Sequence, residues 1–153
     1  MNSAETNLQR RLAAVLVADV VAYSTHMAMD EEGTFALIKT LMREQVEPKI
    51  KQHSGRVVKT NGDGIVAEFH SAVESVRFAI DLQEAIAREA SGSTSPEMQL
   101  RIGINYGDII IDTDGDVFGD GVNIAARLEQ IASPGGICIS GKVHEEIRNK
   151  LAV

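Results

Sequence analysis

Apolar positions along this chain follow two rhythms. Leu12-Ala-Ala-Val-Leu-Val-Ala18 is an unbroken apolar run of strand length, as expected of a strand buried on both faces. Val20 and Val21 continue it after one interruption, at Asp19. From Phe35 the period changes. Phe35, Ile38, Met42, Val46 and Ile50 recur at spacings of three and four, which marks one face of a helix. Asp30 is its predicted N-cap, with Glu31 and Glu32 in the first turn, where the helix dipole favours acids. Pro48 should kink or loosen the helix near its end, and Gly55 should stop it.

The strand period then returns. Segments 56–60 and 65–69 read as two strands joined through the tight-turn pair Asn61-Gly62. Ser71-Ala-Val-Glu74 is a capping box opening a helix with Val73, Val76, Ile80 and Ile86 on one face. Ser91-Gly-Ser-Thr-Ser-Pro96 is a loop. A strand over 98–105, a turn at Gly107 and a partner strand over 108–112 follow, then a second turn at Asp114-Gly-Asp116. Helix 121–131, short strand 137–140 and helix 143–151 complete the pattern. The class is α+β. Its first six elements have the βαββαβ order of a ferredoxin-like core, an antiparallel sheet with helices on one face, and an extra C-terminal strand and helices follow. Residues 1–10 read as a polar lead-in and residues 11–153 as one domain without repeats.

Composition narrows the function. Apolar residues make up 44% of the chain, enough for a packed core. The net charge of −7 argues against a broad nucleic-acid or anionic-membrane surface, so a site for a polyanion would need metal ions or a few placed cations. Trp is absent and aromatics are 4%, too few for a base-stacking platform. Cys138 is the single cysteine; it reads as a small buried hydrophobe, and a reducing cytoplasmic setting is expected. No apolar run is long enough to span a bilayer, and no signal-peptide pattern is present. His26, His53, His70 and His144 lack metal-ligand spacing and read as surface residues.

Two carboxylates stand out. Asp19 interrupts an apolar strand, where an uncompensated charge would be costly. A cation, backbone N–H donors or solvent at the strand end would each satisfy it. Asp63 lies between Gly62 and Gly64, which permit close approach of another group; Asp is also common in plain turns. In a β-α-β-β order the first strand can end beside the hairpin turn, bringing Asp19 and Asp63 together. Two carboxylates at one sheet edge suit Mg²⁺, which prefers oxygen ligands and shares them with phosphates. Asn123 and Arg127 lie four apart on one helix face with Asp120 and Gln130. Alone, that face, like Lys59 on its strand and Asp116 in its turn, reads equally as solvated surface.

As a set, Ala18-Asp-Val-Val-Ala-Tyr-Ser24, Val58-Lys-Thr-Asn-Gly-Asp-Gly64, Leu100-Arg-Ile-Gly-Ile-Asn-Tyr-Gly107 and Asp116-Val-Phe-Gly-Asp-Gly-Val-Asn-Ile-Ala-Ala-Arg127 resemble the class III adenylate and guanylate cyclase catalytic domain, in family order. The resemblance implies that Asp19, Asp63 and the carbonyl of Val20 bind two Mg²⁺ ions per site, with Mn²⁺ able to substitute. It implies that the amides of Tyr23 and Ser24 cradle the terminal phosphates, that Lys59 and Asp116 read the purine, that Asn123 orients the ribose and that Arg127 steadies the reacting phosphate. Lys59 would donate to adenine N1 and Asp116 would accept from the 6-amino group; guanine reverses both edges, so the pair implies ATP. A head-to-tail homodimer with shared active sites is implied, and so is a chain that ends before the family's usual last strands, as a C-terminally truncated domain would. The alternatives are a non-catalytic nucleotide-binding or dimerisation module, another two-metal nucleotidyl transferase, and a purely structural α+β domain.

Overall fold

The computed structural model describes residues 8–62, 64–91 and 98–151. Residues 1–7 of the lead-in, the loop 92–96 and Asp63 lie outside this set. Strand β1 (Gln9–Val20) leads through helix α1 (Tyr23–Met29) into helix α2 (Glu31–Leu41), a π-helical segment (Met42–Val46) and helix α3 (Glu47–Gln52). The hairpin β2 (Gly55–Asn61) and β3 (Gly64–Phe69) follows, then helix α4 (Ala72–Ser91). Strands β4 (Leu100–Ile111) and β5 (Val117–Phe118), helix α5 (Asp120–Ile131), strand β6 (Ile137–Ile139) and helix α6 (Gly141–Ile147) complete the described chain. The sheet order is β2-β3-β1-β4-β5, with β6 pairing parallel to β4 and the other ladders antiparallel.

Alternation along β1 sets the two layers. Ala14, Leu16, Ala18 and Val20 face a core shared with Phe78, Ala79 and Leu82 of α4 and Val143 and Ile147 of α6. Ala13 and Val15 face the other way, into a smaller cluster with Val66, Ile109, Val117 and Ala125 of α5. The helices of the first six elements thus share one face, as the βαββαβ pattern predicts, and α5 from the extra C-terminal part covers the other. Gly103 makes this possible. A Cβ there would run into the α5 backbone at Ala125 and Glu129, so only glycine lets the helix lie this close.

Several expectations change. β1 opens at Gln9, inside the stretch read as a lead-in, because Gln9 and Arg10 pair across to Ile111 and Ile110. Gly107 makes no turn. β4 runs unbroken through it because β1 pairs with β4 along its full length and sets Gly107 opposite Ala13. The hairpin partner is the two-residue β5 beyond the Asp114-Gly-Asp116 turn. The helix before β2 is stopped by Ser54, at φ 61, and not by Gly55. Gly55 is needed instead because a side chain there would overlap the Phe69 ring.

Asp30 does cap α2, its carboxylate accepting from Gly33 N–H at 3.0 Å. On the apolar face of 35–50, Val46 and Ile50 are buried, Ile38 and Met42 are half-buried against the same core, and Phe35 alone of the five is exposed. Ahead of Pro48 the helix widens, with Glu47 N–H donating to Met42 O five residues back. Pro48 then sits in the first turn of α3, where its missing N–H is not needed. His53 is not a surface residue. Its ring is largely buried, with Nδ1 3.1 Å from Glu74 and Nε2 3.4 Å from Asp81, and it packs edge-on against Phe78.

Candidate active site

Asp19 is the penultimate residue of β1, on the α5 side of the sheet between inward-facing Ala18 and Val20. It is half-buried, and its Oδ1 is withdrawn from solvent. In register it lies opposite Gly64 on one side and Arg101 on the other. A Cβ on Gly64 would sit 3.1 Å from Ala18 O and 3.7 Å from Asp19 Oδ1, so the bare glycine brings the β2–β3 turn against the strand end. Asp63 belongs to that turn but lies outside the described residues. Gly62 before it adopts φ 49, which explains the glycine.

The chain leaves β1 through Val21, whose N–H donates to Gln99 O at 2.8 Å. Ala22 then takes a left-handed conformation at φ 55, unusual for a residue with a side chain. This sharp turn starts α1 directly at Tyr23, without a side-chain cap for the first-turn amides of Tyr23 and Ser24. Among the described residues, no group of three or more His, Cys, Asp or Glu side chains could hold a metal by itself. Around the bare Gly64 lie Ala18 O, Asp19 Oδ1 and Asn61 O; oxygen donors are the kind that a hard divalent ion prefers.

Lys59 and Asp116, 57 positions apart in sequence, meet: Nζ lies 3.4 Å from Oδ1. The local reason is a β-bulge. β2 pairs with β3 through Val57↔Ala67 and then Lys59↔Val66, so Val58 is an extra residue. The skip puts Lys59 on the same face as Arg56, although three positions separate them. Asp116 closes a compact loop. Gly115 N–H donates to Asp112 O at 2.9 Å, Asp112 N–H to Asp116 O at 2.9 Å, and Val117 N–H to Asp116 Oδ1 at 2.8 Å.

Three charged residues that the sequence reading passed over lie next to this pair. Glu68 is only 3% exposed. Arg11 donates to both its oxygens, at 2.8 and 2.9 Å, and Arg56 Nε donates to Oε1 at 2.7 Å. Arg56 also donates to Gly115 O at 2.8 Å, one residue before Asp116. The signal was available: a glutamate inside the apolar run Ile65-Val-Ala-Glu-Phe69 demands a partner as much as Asp19 does.

Helix α5 carries Asn123 and Arg127, both exposed on its outer side, while Gly121, Ala125 and Glu129 are its buried residues. The helix is seated by Asn105, which is buried on β4 and donates from Nδ2 to Gly121 O at 3.2 Å. Asn105 is a further residue whose place the sequence did not reveal. Within one chain, Asn123 and Arg127 take no part in the Lys59–Asp116 pair.

Residues 9–152 match the family model described as the adenylate and guanylate cyclase catalytic domain. A Rhizobium meliloti protein provisionally named adenylate cyclase 3 is 46% identical over 150 residues, covering 96% of this chain and 25% of that protein. An adenylate cyclase of Streptomyces coelicolor is 33% identical over 144 residues, covering 94% of this chain and 36% of that protein. The chain thus spans about a quarter to a third of the length of these curated relatives. The crystal structure of an adenylate/guanylate cyclase/hydrolase from Silicibacter pomeroyi superposes with a TM-score of 0.87 at 44% identity, covering 95% of this chain and 85% of that one.

Proposed function

The chain belongs to the adenylate and guanylate cyclase catalytic domain family, and on that premise we propose that it converts ATP to 3′,5′-cyclic AMP and pyrophosphate. The observation that carries the choice of ATP is the Lys59–Asp116 pair at 3.4 Å. A lysine donor beside a carboxylate acceptor complements N1 and the 6-amino group of adenine and opposes both groups of guanine. Val117 N–H and Lys59 both approach Asp116 Oδ1, so Oδ2 is assigned to the amino group.

In this reading the ribose 3′-oxygen, losing its proton, forms a bond to the α-phosphorus as the bond to the pyrophosphate oxygen breaks on the opposite side. Asp19, Asp63 and the Val20 carbonyl would hold two Mg²⁺ or Mn²⁺ ions; bound there, these would acidify the attacking hydroxyl and neutralise triphosphate charge. The uncapped amides of Tyr23 and Ser24 hold the terminal phosphates. Asn123 fixes the ribose so that the hydroxyl lies in line, and Arg127 donates to the charge developing on the α-phosphate. The exposure of Asn123 and Arg127 on α5 is compatible with a head-to-tail homodimer in which each site takes Asp19, Asp63 and the phosphate turn from one chain and Asn123 and Arg127 from the other.

Incubating the dimeric protein with ATP or GTP and Mg²⁺ or Mn²⁺, with chromatographic detection of cyclic nucleotides, tests this. Cyclic AMP, with little cyclic GMP, is expected. A dimer that binds ATP and forms no cyclic product would leave a nucleotide-binding module as the better description.

A further inference from the structure

Lys59 and Asp116 hold a defined separation although one sits on a strand and the other in a loop between β4 and the two-residue β5. The loop is closed on itself, but little pairs it to the rest of the sheet, since β5 meets β4 only at Ile110↔Phe118 and Ile111↔Val117. Beside the Lys59–Asp116 contact itself, what ties it to the strand bearing Lys59 is Arg56. The guanidinium reaches Gly115 O at 2.8 Å, and a Cβ on Gly115 would stand only 3.5 Å from the other terminal nitrogen. Its own position is fixed from behind, where Nε donates at 2.7 Å to Glu68, which Arg11 clamps through two further hydrogen bonds. The bulge at Val58 puts Arg56 and Lys59 on one face of one strand. β2 therefore supplies one half of the purine-reading pair and the tether for the loop that holds the other half.

We propose that Arg56 is a positioning residue for base selectivity: anchored on Glu68, it holds the 112–116 loop so that Asp116 stands at the distance from Lys59 that fits adenine. This deepens the ATP reading above and rests on it. A fork is needed because the same group must donate in two directions, to a carboxylate and to a carbonyl, in one plane. Lysine, a flexible point charge, lacks that geometry. Arg11 supports Glu68 without touching the loop, which makes it the natural control.

The test uses the whole chain with Mg²⁺ and two readouts. One is the ratio of Kd values for GTP and ATP, from displacement of a fluorescent ATP analogue. The other is hydrogen exchange of residues 112–118. Arg56→Gln should lower the preference for ATP about ten-fold, roughly 1.4 kcal/mol, and speed exchange in the loop. Arg56→Lys keeps a cation on buried Glu68, so it retains the fold if the glutamine variant does not, and should shift both readouts the same way. Arg11→Gln should change the ratio far less. ATP and GTP weakened equally by the Arg56 variants, unchanged loop exchange, or an equal effect of Arg11→Gln would reduce Arg56 to a structural part and overturn the proposal. Asp116→Ala separates the two levels. If it leaves the ratio unchanged, the base-reading assignment falls and takes this inference with it. If it lowers the ratio while both Arg56 variants do not, only this inference falls.

Discussion

Asp19 and Glu68 pose the same physical problem, a carboxylate inside an apolar strand, and are handled differently. Glu68 is compensated within the chain by two guanidinium groups. Asp19 stands at the strand end, against the glycine that follows Asp63, at the place proposed above for the divalent ions. Removing Asp63, the other carboxylate proposed to bind metal, should stop the chemistry while sparing the core. Asp63→Ala should lose cyclase turnover by at least about 10³-fold with an unchanged melting temperature, measured by product formation and thermal denaturation. The base-reading role proposed for Lys59 and Asp116 predicts a specificity change rather than a loss. Lys59→Glu combined with Asp116→Ser should move the preference from ATP toward GTP in competition assays; a retained ATP preference would refute the role given to the pair.

At the scale of elements, β4 and α5 depend on one missing side chain. Gly103→Ala would drive a methyl group into the α5 backbone at Ala125 and Glu129. It should cost roughly 1–3 kcal/mol by displacing the helix, visible as a lower denaturant midpoint, and should depress activity through Asn123 and Arg127. A second element-level contact joins α3 to α4. Glu74 is held below its ordinary value of 4.5, first by its hydrogen bond with His53 and then by Arg77. Asp81 is held below 3.8, first by Lys49 and then by His53, with burial opposing both shifts. Because these folded-state values are depressed, the stability they contribute is complete above the ordinary carboxylate values. It is lost as pH falls through the lowered ones. Denaturant midpoints followed from neutral pH into the acid range should thus fall more steeply for the native protein than for Glu74→Gln with Asp81→Asn. Parallel curves would mean that this cluster does not contribute.

At the scale of the whole molecule, the outward placement of Asn123 and Arg127 makes a shared site testable by mixing. Asp63→Ala and Arg127→Ala should each be inactive alone. Mixed in equal amounts and allowed to exchange partners, half the dimers would be hybrids with one intact site each, restoring roughly a quarter of native activity. No recovery in proven hybrids would place the site within one chain. Among the described residues, no helix is long and apolar enough to cross a membrane. The sequence by itself determined the identity and order of most elements, the cap at Asp30, the β2–β3 hairpin (although Asn61 ends β2 opposite Gly64 and is not itself in the turn) and the residues matching a cyclase site. These follow from side-chain period and local turn chemistry, which act over a few neighbouring residues. It misjudged Gly107, because a glycine in a strand and a glycine in a turn differ only in what pairs across from them, and here that is Ala13 of β1. Asp63's own geometry lies outside the described residues. Only the tertiary structure decided that α5 covers the second face, that Val58 bulges and turns Lys59 toward Asp116, and that Arg56 joins Glu68 to the Gly115 carbonyl. Each of these depends on register between segments far apart in sequence. One residue of slip would send every side chain to the opposite face, and no local pattern records which register is taken.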